Sequence, residues 1–271
     1  MAITTLDGVI AGFQPPKPIA KNGIAMAAVG AQRGYTPWYV AGNPGASTAT
    51  AVGINGEAAT PALGSTGGRI PRTNPGSGNS YLGRWAMNAS QVGTFWLIDR
   101  LWQNSGLNVT STTAQAITPA TLPARDGLGG TTGANIMAAV EWSATGGAGT
   151  PTVTLTYTDQ DGNTGASATL TGVTTPPVGT FEIFTLGAGD TGIRAPTSFI
   201  QSATRTSGTM HLVLFRVLAQ LEITSNNVGN AIDALTSGFP RVYDDSVLQL
   251  LFFPSAATGA NMQGTYTETQ G

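Results

Sequence analysis

Residues 149–172 read GTPTVTLTYTDQDGNTGASATLTG, and this stretch constrains the fold more than any other part of the chain. Val153, Leu155 and Tyr157 alternate with threonines before the turn residues. Ala166, Ala168 and Leu170 alternate with Ser167, Thr169 and Thr171 after them. A period of two separates apolar from polar side chains only on a pleated strand, where successive residues point to opposite faces. A two-residue turn at Asp161-Gly162 sets Tyr157 opposite Ala166, Leu155 opposite Ala168 and Val153 opposite Leu170. It also sets Thr156 opposite Ser167, Thr154 opposite Thr169 and Thr152 opposite Thr171. A one-residue slip would put Val153 against Thr169 and mix the two faces. A two-residue slip, turning at Gly162-Asn163, keeps the parity, so the exact turn stays open between two good hairpin dipeptides.

Other strand signals follow from 81 to 222. YLGRWAM and TFWLIDRLW are apolar and aromatic-rich, and the unbroken run Phe95–Ile98 predicts a strand buried on both faces. NIMAAVEWSA places Ile136, Ala138, Val140 and Trp142 on one face. TFEIFTL and MHLVLFRVL read as further core strands. With 37 Gly and 16 Pro among 271 residues, the strands are short and separated by turns. The expected fold is therefore mainly all-β, an antiparallel β-sandwich or jelly roll. Residues 1–80 form a loop-rich segment: FQPPKPIA predicts an extended, polyproline-like run, with short strands near Ile24–Val29 and Trp38–Val40. An arm ordered against a neighbouring subunit and an ordinary loop-rich subdomain are both open for this segment. In 223–271, Val228, Ile232 and Leu235 stand at i, i+4 and i+7, with Ser225 or Asn226 to cap and Gly238 to end. That spacing predicts one short helix, followed by the strand SVLQLLFFP and a polar tail.

Composition excludes several functions. The formal net charge is −2 and only 10% of residues are charged, so no basic field exists to attract nucleic acid. Cysteine is absent, which removes disulfides, thiolate metal sites and Cys nucleophiles and fits assembly in a reducing cytoplasm. The opening MAITTLDGVIAGFQPP lacks a basic start and carries Asp7, unlike a secretory signal. FWLI and LVLF are too short to span a bilayer.

Catalytic motifs fail on context. Asp159, Asp161 and Asn163 alternate like the first ligands of an EF-hand loop, but the sixth and twelfth positions are Thr164 and Leu170 instead of Gly and Glu. They are a weak metal candidate beside the turn reading. His211 is the one histidine; any Ser-His-Asp triad would have to use it, and no G-x-S-x-G presents a nucleophile. GAGDTG, residues 187–192, matches G-x-G-x-x-G, but Pro196 falls where the helix of a dinucleotide site should run. Asp99-Arg100 and Arg125-Asp126 read as structural pairing or subunit contacts. No catalytic residue and no cofactor is expected, and the chain reads as a non-enzyme.

MAITTLDGVIAGFQPPKP, IPRTNPGSGNSYLGRW, LIDRLWQNSGLNVT, LPARDG, GAGTPTVTLTYT and NAIDALTSGFPRVYD together resemble a group of virion structural proteins of tailed bacteriophages. The resemblance spans most of the chain and is similar in type to capsid decoration, or cement, proteins. It implies no activity and no catalytic residue. It implies a virion location after assembly in the host cytoplasm, homo-oligomers, and contact with the major capsid protein, with no direct nucleic-acid or membrane partner. A tail, neck or tail-tube component is the alternative within assembly proteins. A carbohydrate-binding or glycan-cleaving β-sandwich is the alternative from another class. FQPPKPIA and the C-terminal SAATGANMQGTYTETQG are candidate arms, and Phe13, Pro15, Pro16, Trp38 and Tyr39 are candidate interface residues. For Trp38, core packing is the competing reading.

Overall fold

The computed structural model describes residues 3, 5–30 and 32–271. In chain order the elements are a helix α1 (Leu6–Ala11), then β1 (Lys17–Ile24), β2 (Arg33–Tyr35), β3 (Gly42–Asn43), β4 (Glu57–Ala58), β5 (Ser80–Ala89) and β6 (Gly93–Gln103). There follow β7 (Gln115–Ala116), β8 (Met137–Ala144), β9 (Thr152–Asp159), β10 (Thr164–Thr171), β11 (Thr180–Ile183) and β12 (Ile193–Gln201). The chain ends with β13 (Thr209–Ile223), β14 (Asn230–Asp233), β15 (Arg241–Val242), β16 (Leu248–Pro254) and β17 (Ala260–Gln270). The fold is mainly β, and its sheets are antiparallel.

The organising unit is a closed barrel. Strands run in the order β13-β8-β11-β2-β16-β6, and β6 pairs back onto β13 to close a six-stranded ring, with β4 attached outside it. Closure removes the free edges that a two-sheet sandwich would expose. This differs from the expected sandwich because the long β13 serves two neighbours, β8 through residues 209–215 and β6 through residues 213–223. The seam between β2 and β16 is thin, a single pair, Phe252 with Tyr35. Gly34 in β2 lets the Phe253 ring come close: a Cβ there would meet that ring at 3.1 Å.

Alternation along the ring strands decides what fills the lumen. Ile98, Ala139, Phe181, Ile183, Val213, Phe215 and Leu251 form one buried cluster drawn from five ring strands. Side chains from so many ring strands meet only inside the ring. Phe181 and Phe215 pack edge to face at 5.3 Å, and Trp96 lies against Phe253 at 4.6 Å. The opposite faces of the same strands look outward, yet two further sheets cover them. One is β14-β5-β17-β1-β3, with β15 also on β5. Its Leu82, Trp85, Met87, Met262 and Tyr266 pack with Phe95, Leu97, Leu221, Leu250 and Phe252 of the barrel. The other is β10-β9-β12-β7, whose Val153, Leu155, Tyr157, Leu170 and Phe199 pack with Trp102, Val140, Trp142, Leu212 and Leu214. So β6 is apolar on both faces because one lines the lumen and the other lies under a sheet.

The β9–β10 hairpin has the expected register: Tyr157 with Ala166, Leu155 with Ala168, Val153 with Leu170, and the Thr and Ser residues opposed between them. The turn itself differs. Asp159 N–H donates to the Asn163 carbonyl and Gly162 N–H to the Asp159 carbonyl, which makes a three-residue loop with Gly162 at φ 90°. Thr164 then pairs with Thr158, and a bulge at Gly165, φ 84°, restores the pairing from Ala166 onward.

At the chain's two ends the predicted helix and the two short strands are corrected. No helix forms over 225–238: residues 230–233 are β14, with Ile232 opposite Trp85, and residues 234–238 are turn. The Asp233 carboxylate accepts from the N–H groups of Leu235 and Thr236, so it holds a turn where a helix would have run on. The one α-helix among the described residues is α1, near the other end. The C-terminal segment is no free arm: β17 lies between β5 and β1 in the middle of its sheet. The Pro-rich segment leads into β1, which pairs with β17 from Lys17–Tyr266 to Ile24–Ala260. The strand signals near Ile24–Val29 and Trp38–Val40 shift too, for the strand ends at Ile24 and residues 37–39 form a 3-10 turn.

Candidate functional site

The densest polar chemistry sits inside one end of the barrel. Arg100 and Glu141, 1% and 0% exposed, point into the lumen from β6 and β8. One Arg100 Nη donates to both Glu141 carboxylate oxygens at 2.9 and 2.8 Å, and Nε donates to Gln103 Oε1 at 2.9 Å. Glu141 also accepts from the Tyr39 hydroxyl at 2.8 Å and from Gln249 Nε2 at 2.8 Å. Burial pushes the Glu141 carboxyl up, but the Arg100 charge and these donors outweigh it and hold the group below the ordinary range. Such a cluster fixes strand register, because each member is satisfied by a residue from another strand or loop.

On the outer side of β6, Asp99 accepts from Arg125 at 3.3 Å, Arg216 at 3.1 Å, Ser246 at 2.7 Å and the Val247 N–H at 2.9 Å. Asp126 accepts from the N–H groups of Leu128, Gly130 and Gly133 and from Thr132, tying off the loop at 126–133. Both Asp-Arg dipeptides thus serve the fold, and their acids do not pair with their chain neighbours.

His211 lies beside this cluster. Its Nδ1 faces the Asn104 carbonyl at 2.8 Å and therefore carries the proton, so Nε2 accepts from Ser143 Oγ at 2.7 Å. Burial lowers its pKa from 6.5, against the pull of Glu141. A hydroxyl, a base and an orienting carbonyl are in line, as nucleophilic catalysis requires. His211 is 0% exposed, and neither it nor Ser143 lines the open grooves on the β5–β17 sheet, beside α1 or between β10 and β11. The pair anchors the strand end where β8 and β13 shift register.

The other sequence candidates resolve as turns. Asp159 accepts from the N–H of Asp161 and Asn163 and from Asn163 Nδ2 at 2.8 Å, so the three residues satisfy one another within the hairpin loop. No group of three or more His, Asp or Glu with metal-site geometry occurs among the described residues. In GAGDTG the Asp190 N–H donates back to the Gly187 carbonyl, and the segment runs into strand β12, not a helix. Asp190 accepts from the Tyr157 hydroxyl. Burial and this partner push the Tyr157 pKa up to about 12. Pro196 sits beside a bulge in β12, where its missing N–H is tolerated.

Of the candidate interface residues, Pro15 and Pro16 are exposed and Phe13 is 39% exposed, bridging to Thr269. Tyr39 is half-buried, with its hydroxyl on Glu141. Trp38 is corrected from a candidate anchor to a core residue. It is 1% exposed, its Nε1 donates to the Ser65 carbonyl at 3.1 Å, and the Arg100 guanidinium lies 5.3 Å over its ring. Sequence reading passed over the exposed apolar residues Leu6 and Ile10, and took the exposed Leu235 for the buried face of a helix. The signal was the i, i+4 pair of aliphatics beside Asp7, in a segment read only as extended.

No helix among the described residues is long and apolar enough to cross a membrane. No family model, no curated protein and no solved structure matches the chain.

Proposed function

We propose that this chain is a structural subunit of a tailed-phage virion that decorates or cements the head without catalysing a reaction. Its partners are the major capsid protein and further copies of itself. The observation that carries the reading is where the reactive groups lie. The buried acids Asp99, Asp126, Glu141, Asp159, Glu182 and Glu268 are all engaged by donors of the fold, and the one histidine is closed off in the barrel. What the surface offers is low in charge and includes exposed aliphatic groups, which suits contact with protein.

A glycan binder on a β scaffold needs an aromatic platform in the open. Trp38, Trp85, Trp102 and Trp142 are buried, and Trp96 packs on Phe253 at the barrel end. That distribution favours the assembly reading. The test is a phage lacking the gene for this chain. Tailed, DNA-filled particles whose heads lose heat resistance are the expected result. Full heads without tails would move the protein to the neck or tail, and unchanged particles would overturn the reading.

A further inference from the structure

Helix α1 turns an apolar face outward. Leu6 and Ile10, one turn apart, are 62% and 60% exposed, while Val9 on the other side is buried. Beside α1 runs a groove of about 400 Å³ lined mostly by apolar residues, Ile3, Leu6, Val9, Tyr81, Leu235 and Phe239, together with Thr5. Leu235, on the turn between β14 and β15, is 70% exposed at its edge. Single exposed aliphatics are ordinary, but several gathered around an apolar groove mark a contact surface.

Opposite charges stand next to groove residues, Asp7 beside Leu6 and Arg241 beside Tyr81. Asp7 is exposed on α1, and Arg241 is exposed on β15 directly across the ladder from Tyr81, a groove residue. Among the described residues neither makes an ion pair. Arg241 instead lies over the Tyr243 ring at 4.4 Å.

We propose that this patch joins two copies of the chain about a two-fold axis. The Leu6 and Ile10 ridge of each copy enters the groove of the other, and Asp7 of each faces Arg241 of the other. A two-fold contact must be self-complementary, since the same surface is used twice. This patch meets that condition twice, with ridge beside groove and an acid beside one groove residue matched by a base beside another. An unlike partner would require neither coincidence. The inference rests on the assembly reading for its biological use, but its physical basis is the patch alone.

Sedimentation equilibrium of the full chain tests it. The wild type is expected to dimerise, and Leu6→Asp with Ile10→Asp to weaken the dimer by roughly tenfold or more. Val52→Asp, at an exposed site outside the patch, is expected to leave it unchanged. Asp7→Arg and Arg241→Asp should each weaken self-association. Mixing these two variants should restore a heterodimer, because each acid then meets a base at both contacts. Circular dichroism confirms that each variant is folded. A wild type that stays monomeric at about 100 µM, or mixed variants that do not associate, would overturn the proposal. A monomer that is nonetheless abundant in particles would sink this inference alone. A dimer absent from particles would sink the virion reading alone.

Discussion

Arg100 and Glu141 are charges that serve the fold. Each is buried, and each completes the other's hydrogen bonding inside the barrel. Glu141→Leu leaves the Arg100 guanidinium without its carboxylate and is expected to cost about 3–5 kcal/mol in urea unfolding. Pairing it with Arg100→Met removes both charges, and most of that loss should be recovered. Lys21 carries a separate signature. It is 1% exposed, with Nζ donating to the carbonyls of Val40 at 2.6 Å and Gly45 at 3.1 Å. Burial lowers its pKa from 10.5 to about 8. Between those values the unfolded chain holds a proton that the native chain has released, so this group makes stability rise with pH. Tyr39 and Tyr266 act in the opposite sense above their ordinary value of 10, because burial keeps both phenols protonated. The urea midpoint compared at pH 8 and about 9.5 isolates the lysine. The rise between them should shrink in Lys21→Met.

At the scale of elements, the hairpin and the failed helix explain what a sequence can reveal. The β9–β10 register was legible because its two faces differ in polarity at every position, and only one parity keeps them apart. The turn was not, since the faces do not register a bulge that returns them to the same parity. Gly165 is that bulge, with open space around its missing side chain. Gly165→Val should therefore cost about 1–2 kcal/mol through its left-handed backbone alone, with Gly165→Asn costing less. Proteolysis within residues 159–165 would report the loosened turn. The segment 225–238 misled for the opposite reason. Val228, Ile232 and Leu235 have helical spacing, but only Ile232 packs against the core, while the other two are 57% and 70% exposed. Spacing can suggest a face without any neighbour to bury it. Asp233, inside the predicted helix and not weighed there, was the turn signal.

The whole molecule is a barrel with a sheet on each of two walls. Most long strands were legible one by one, among them Ser80–Ala89, Gly93–Gln103, Met137–Ala144, Thr209–Ile223 and Leu248–Pro254, but Ile193–Gln201 was missed and Asn230–Asp233 was read as helix. Closure of the ring was not legible, because the closing β6–β13 ladder pairs residues more than a hundred positions apart. Periodicity tells which way a side chain points and is silent on which strand lies beside it. The lumen should be the most demanding volume. Phe215→Ala, at the centre of that cluster, is expected to cost about 3–5 kcal/mol. A fully exposed truncation such as Leu128→Ala should stay within about 0.5 kcal/mol. Calorimetry on both variants distinguishes a packed lumen from a loose one. The proposed patch was not legible: Phe13, Pro15 and Pro16, sequence candidates for an interface, do not line it, and the groove beside α1 forms only where Leu235 and Phe239 from the far end of the chain come to lie next to Leu6 and Val9. The proposed role is a repeating part of a phage particle. Quantitative mass spectrometry of purified virions tests it most directly. A copy number close to that of the major shell protein is the predicted result, and complete absence from the particle would contradict the account.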